Sequence, residues 1–207
     1  MMKMSRGFFL VAIFTVVMTV SGFSDTADLA TQLAEGIKCH DAARIDPETN
    51  IKRGEEILSA IQDESPVAKA YYGSLITLEA EQYAAQKDVL KALELLSGGT
   101  KLMDAAIKIA PDVSDIRFLR MENSYEISQS SPLNRYKVMK QDIDWLDARK
   151  ADFSMAEQGV IELYKGLYFA RAKKLDAAMD AFDECIRLSP GSPEAIEAQR
   201  QIAHYAE

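Results

Sequence analysis

GLYFARAKKLDAAMDAFDECIRLSP, from Gly166 to Pro190, carries a spacing of small and large residues that specifies two helices packed at close range. Leu175, Ala178, Phe182, Cys185 and Pro190 supply the second helix. A small residue stands where the helices cross, apolar residues follow one and two turns on, and a proline stops the helix. The same five positions recur 79 residues earlier as Leu96, Gly99, Met103, Ala106 and Pro111, and 45 earlier again as Ile51, Gly54, Leu58, Ile61 and Pro66. Between Pro111 and residue 151 the pattern is degenerate. Tyr136, Met139, Ile143 and Leu146 fill the apolar slots there, without the small residue or the final proline.

The first helices follow the same logic. Gly36, Gly73 and Gly166 each sit inside an apolar helical pattern, where glycine costs roughly 1 kcal/mol against alanine. Close helix crossing explains why it is kept. The separation from that glycine to the small residue of the partner helix is 12 in the last hairpin, 26 in the second and 18 in the first. The earlier hairpins therefore have longer helices or longer turns.

Six prolines and ten glycines interrupt a chain whose apolar residues otherwise recur at three- and four-residue intervals, without alternating β-branched runs after the first segment. The chain is expected to be all-α. Breaks at Pro47, Pro66, Pro111, Pro132 and Pro190 predict helices at 26–45, 48–62, 66–86, 88–109, 113–128, 132–149, 154–172, 174–188 and 192–206. Ser192-Pro193-Glu194 reads as the cap and first turn of the last helix. SQSSPLNR, residues 128–135, is the most loop-like segment.

Residues 1–24 read as a cleaved signal peptide. Lys3 and Arg6 precede thirteen uncharged residues, and Gly22 and Ser24 suit a peptidase cutting before Asp25. Thirteen residues are too few for the roughly 17–25 of a spanning helix. The mature product, residues 25–207, is expected to be a single domain without stable membrane insertion, periplasmic or secreted. Removing two of the 24 basic residues and none of the 32 acidic ones leaves 22 − 32 = −10. Such a charge argues against nucleic acid as a partner.

Gly166, Phe169, Ala178, Phe182 and Pro190 resemble the tetratricopeptide repeat, whose period is about 34 with the order Gly, aromatic, Ala, aromatic, Pro. Its usual Trp and Leu ahead of the glycine are here Glu162 and Lys165. GIKCHDAARIDP (36–47), AKAYYGS (68–74) and AIKIAPDVSDIRFLR (106–120) look similar to helical-repeat proteins of bacterial envelopes with no assigned activity. The first resemblance implies an α-solenoid of about four tetratricopeptide-like hairpins plus a C-terminal capping helix. Its inner, first-helix face would hold a partner protein or peptide or, less often, a small ligand.

On that face Arg117 and Arg120 present two guanidinium forks one turn apart, with Asn123 a turn further. They suit a carboxylate unless they pair with nearby acids such as Asp112, Asp115 or Glu122. Tyr71, Tyr72, Tyr164 and Tyr168 also fall on first helices, as groove lining or as core. Cys39 and Cys185 lie in the first and last hairpins of such a stack. Three steps of about 10 Å exceed the roughly 7 Å a disulfide allows between Cα atoms. No disulfide is expected.

Cys39-His40 and the distant His204 do not make a metal site. Ser97-Gly98-Gly99-Thr100-Lys101 lacks the spacing of a phosphate loop. No nucleophile–base pair is visible, and no cofactor is expected. The chain reads as an exported, non-enzymatic binding scaffold. The alternative is a ligand receptor or accessory subunit for solute uptake, with a pocket between hairpins.

Overall fold

In the computed structural model, which describes residues 23–206, the chain is all-α. The helices are α1 (Phe23–Ala43), α2 (Pro47–Ile61), α3 (Pro66–Ala85), α4 (Val89–Ile109), α5 (Ser114–Ser130), α6 (Tyr136–Asp147), α7 (Met155–Arg171), α8 (Leu175–Leu188) and α9 (Pro193–Ala206), with a 310 turn at Lys150–Asp152. Residues 1–24, read from the sequence as a signal peptide, lie outside the described residues but for the last two positions. Among the described residues no helix is long and apolar enough to cross a membrane. Each prolyl break falls at a helix boundary except Pro132, where α5 runs on to Ser130 and α6 waits until Tyr136. The hydroxyls of Ser128 and Ser131 take up the backbone N–H groups of Arg135 and Leu133 in the connection.

The chain divides into two compact units, one ending at Asn123 and the other beginning at Ser124, a boundary inside α5. In the first, α1 pairs with α2 and α3 with α4, and α2 also packs on α3. Its core gathers Leu58, Leu75, Met103 and Ile116, all fully buried. In the second, α7 pairs with α8, and α9 covers both while α6 lies against α7. Ile161, Phe182, Leu146 and Met139 form its centre. Ser192 caps α9 as expected, accepting from the Ala195 N–H at 3.1 Å, and Ala195 and Ala198 are buried completely.

The recurring pattern marks packing positions. Ile51, Gly54, Leu58 and Ile61 are buried, as are Leu96, Gly99, Met103 and Ala106, and Ala178, Phe182 and Cys185. Leu175, the first residue of α8, is 45% exposed. Met139, Ile143 and Leu146 of α6 are buried too. Without a small residue at the crossing, α5 and α6 do not reach the close backbone approach of the other three pairs. Backbones come together only where a Cβ or a large side chain does not hold them apart.

The long second hairpin and the short last one share a turn. Lys87 and Lys173 both adopt left-handed backbone, at φ 67° and 60°. In each case the N–H of that lysine donates three residues back, to Ala84 or Ala170. The next N–H donates five back, to Tyr83 or Phe169. This is the Schellman arrangement, made here without glycine. Counting from the lysine, Gly73 lies 14 back and Gly99 12 on, whereas Gly166 lies 7 back and Ala178 5 on. Each arm of α3–α4 is thus longer by seven residues, about two helical turns, which returns the same face to the partner. The extra length is in the helices, not the turn.

Candidate functional site

A cleft of about 410 Å³ opens beside the α7–α8 pair, lined by Lys150, Glu162, Lys165, Phe169, Ala177, Asp180, Ala181 and Glu184. Its geometry follows from helical periodicity: residues 162, 165 and 169 share one face of α7, and 177, 180, 181 and 184 share one face of α8. The 310 turn that carries Lys150 closes a third side. Phe169 and the two alanines are the apolar lining. Everything else is charged.

Glu162 is the hub. Its side chain is only 5% exposed, and Oε1 accepts from Lys150 Nζ at 2.6 Å and from Lys165 Nζ at 3.4 Å. Lys165 also donates to Asp147, the last residue of α6, at 3.1 Å. Glu184 lies 3.8 Å from Lys150 and takes both arms of the Arg187 guanidinium at 2.6 Å. Burial alone would pull the Lys165 ammonium below its ordinary range. The Asp147 hydrogen bond and the Glu162 and Asp147 charges outweigh it, so the net shift is upward. Glu184 is held low, chiefly by its Arg187 hydrogen bond. With its proton held more tightly than usual, Lys165 serves as a fixed charge and not as a nucleophilic amine.

Glu162 and Lys165 occupy the two positions where the tetratricopeptide pattern has Trp and Leu. Large apolar side chains there would fill space that the carboxylate and ammonium leave open. That departure was visible in the sequence. The convergence of Lys150, Asp180 and Glu184 on it was not, because they come from different elements.

The residues favoured from sequence sit elsewhere, and most are buried. Arg117 is 9% exposed, with Nε and a terminal nitrogen donating to the Pro111 carbonyl at 3.0 and 2.8 Å, where it braces the α4–α5 connection. Arg120 is 6% exposed and pairs with Asp104 of α4 at 3.0 Å, an acid other than those considered from spacing. Asn123 donates to Thr77 Oγ1 at 2.6 Å, and its buried Oδ1 has no hydrogen-bond partner among the described residues. The three therefore do not form an open carboxylate fork.

Tyr71 is buried and meets the His40 ring edge-on at 5.0 Å, and burial raises its phenol pKa. Tyr164 is buried edge-on against Tyr125 at 5.7 Å. Tyr72 is half-buried beside the core of its unit, its phenol pKa raised by burial and then by Glu55 and Glu79. Tyr168 is half-buried against Phe169. None of the four tyrosines lines the cleft, although Tyr168 packs on Phe169, which does.

Two sequence features resolve into structure. Ser97–Lys101 is mid-helix in α4, with Thr100 bonded back to the Leu96 carbonyl. Cys39 and Cys185 are buried free thiols, the latter pushed up to about 12 by burial. Asp41, His40 and Ser74 form a string, Asp41 to Nδ1 at 3.1 Å and Nε2 to Ser74 Oγ at 2.9 Å. The pair His40–Ser74, 34 residues apart, escapes any reading of spacing. Ser74 is fully buried, so its hydroxyl is not presented to a substrate. Among the described residues no three His, Cys, Asp or Glu side chains are grouped to hold a metal.

No family model, no curated protein and no solved structure matches this chain.

Proposed function

We propose that this protein is an exported, tetratricopeptide-like binding module that holds a segment of a partner protein or a peptide, without catalysing a reaction. The single observation that carries the reading is the α7–α8 cleft, opened where charged residues replace the large apolar ones of the repeat pattern. Three of its eight lining residues are apolar and five are charged, which suits a charged group on a peptide more than an apolar ligand. Lys165 is held cationic by neighbouring carboxylates, and Lys150 is ion-paired to Glu162, which suits binding and not amine chemistry. The binding surface is accordingly moved from the Arg117–Arg120–Asn123 face to α7–α8. The alternative reading, a receptor for a small solute, called for an enclosed pocket between hairpins, and this cleft is open and lies along the single pair α7–α8.

Ala177 is half-buried on the cleft wall, so Ala177→Trp should fill the cleft while leaving the fold intact by circular dichroism. Peptides selected from a random display library on the native protein should lose binding to that variant. Selected peptides that bind both forms equally would remove the cleft from the proposal. Export is tested separately by the intact mass of the protein from its own cells, expected to begin at Asp25.

A further inference from the structure

Resting on the reading of α7–α8 as a peptide-binding cleft, we propose that the cleft is specific for a cationic side chain, lysine or arginine, taken by Asp180 and the outer edge of Glu184 above Phe169. The charges in and around the cleft decide the sign. Four carboxylates converge there, Asp147, Glu162, Asp180 and Glu184, against three cations, Lys150, Lys165 and Arg187. Each cation is already matched. Lys150 is held by Glu162, Lys165 by Asp147 and Glu162, and Arg187 by both oxygens of Glu184. Asp180 is exposed on the cleft wall and forms no ion pair or hydrogen bond among the described residues.

An incoming anion would meet lysines whose charge neighbouring carboxylates already offset, and it would meet the field of a chain with net charge −8. An incoming cation needs no displacement, because it completes the one unmatched charge. The rest of the lining suits the remainder of such a side chain. Ala177 and Ala181 are small enough to admit a methylene stem, and the Phe169 ring offers an apolar and weakly cation-attracting surface beside it. Glu162 stays engaged by two lysines and sets the depth of the cleft without contributing free charge.

The probes are three blocked tripeptides that differ in the central side chain: acetyl-Ala-Lys-Ala-amide, acetyl-Ala-norleucine-Ala-amide and acetyl-Ala-Glu-Ala-amide. Each is titrated into the isotope-labelled protein and followed by amide chemical shifts. The lysine peptide should move the resonances of Phe169, Ala177, Asp180 and Ala181 saturably, and the glutamate peptide should leave them in place. Asp180→Asn should weaken the lysine peptide by roughly 1.5- to fivefold, the range of one exposed ion pair. Asp183→Asn removes the same charge from an exposed position of α8 outside the cleft, and serves as the control for the general field. Its effect should be smaller and should vanish at raised salt.

Equal weakening by the two variants would overturn the assignment of Asp180. If the norleucine or glutamate peptide binds in the cleft as tightly as the lysine peptide, cation specificity fails while the binding cleft stands. If none of the three moves a cleft resonance, both the specificity and the cleft fail.

Discussion

The hairpins α3–α4 and α7–α8 close through the same kind of turn, yet they use their glycines against different obstacles. In α3–α4 glycine faces glycine. A Cβ on Gly73 would lie 2.5 Å from the Gly99 carbonyl oxygen, and one on Gly99 would lie 2.3 Å from that of Gly73. The two backbones touch, and no side chain can move aside to relieve an added methyl. In α7–α8 a Cβ on Gly166 would meet the Phe182 ring at 2.4 Å, so the glycine is a socket for an aromatic knob and not a point of backbone contact. One crossing is limited by backbone, the other by a side chain that could be changed.

The largest expected effect follows from that difference. Gly99→Ala should cost about 3 kcal/mol in chemical denaturation, at the upper end of overpacking penalties, and no substitution of a neighbouring side chain should recover it. A loss below that of Gly166→Ala would break the comparison.

Gly166→Ala should cost about 1–2 kcal/mol, because the fully buried Phe182 ring must shift. Combined with Phe182→Leu, the loss should be smaller than the sum of the two single losses, measured as a double-mutant cycle. Strict additivity would mean that the ring is not what meets the new methyl.

The two units also treat their carboxylates in opposite ways. Glu184 beside the cleft is held low by Arg187, whereas burial, with Glu79 nearby, lifts half-buried Glu55 of α2 to about 7. The ordinary carboxyl value is 4.5. With the folded value above the unfolded one, the native state binds the extra proton between those values. Its favourable contribution is complete below about pH 4.5 and is lost as the pH rises through about 7. Glu55→Gln should therefore stabilise the protein by about 1 kcal/mol at pH 8, after discounting for solvent screening, and change little at pH 4. Paired thermal melts at the two pH values check this. Stabilisation at pH 4 and not at pH 8 would reverse the sign of the argument.

Gly98 gives the smallest effect and the sharpest control, since a Cβ there meets nothing within 4 Å. Gly98→Ala should raise stability by about 0.5–1 kcal/mol through helix propensity alone. Adjacent glycines in α4 would then respond with opposite signs.

Much of this was legible in the chain. Proline breaks placed the helix boundaries within a few residues, and the spacing of Leu175, Ala178, Phe182 and Cys185 led to its counterparts around Gly99 and Gly54. The degenerate stretch before residue 151 was legible too, as an absence of the small residue that close crossing needs. Spacing put Arg117, Arg120 and Asn123 on one helical face but left open whether the arginines meet a carboxylate from outside or pair within the protein. The partners these three residues find include Pro111 O, Asp104 and Thr77, 6, 16 and 46 positions away, and spacing along one helix says nothing about what the rest of the chain brings to it.

The sequence by itself determined the helices, the crossing points and the two charged residues ahead of Gly166, Glu162 and Lys165, because each depends on local periodicity and on the size of single residues. Tertiary structure alone decided that two lysine-led turns set one arm length apart by two helical turns, that the arginines brace the fold, and that a cleft forms beside α7. Those outcomes depend on which side chains from distant elements reach the same few ångströms, where a charge is either matched or left open.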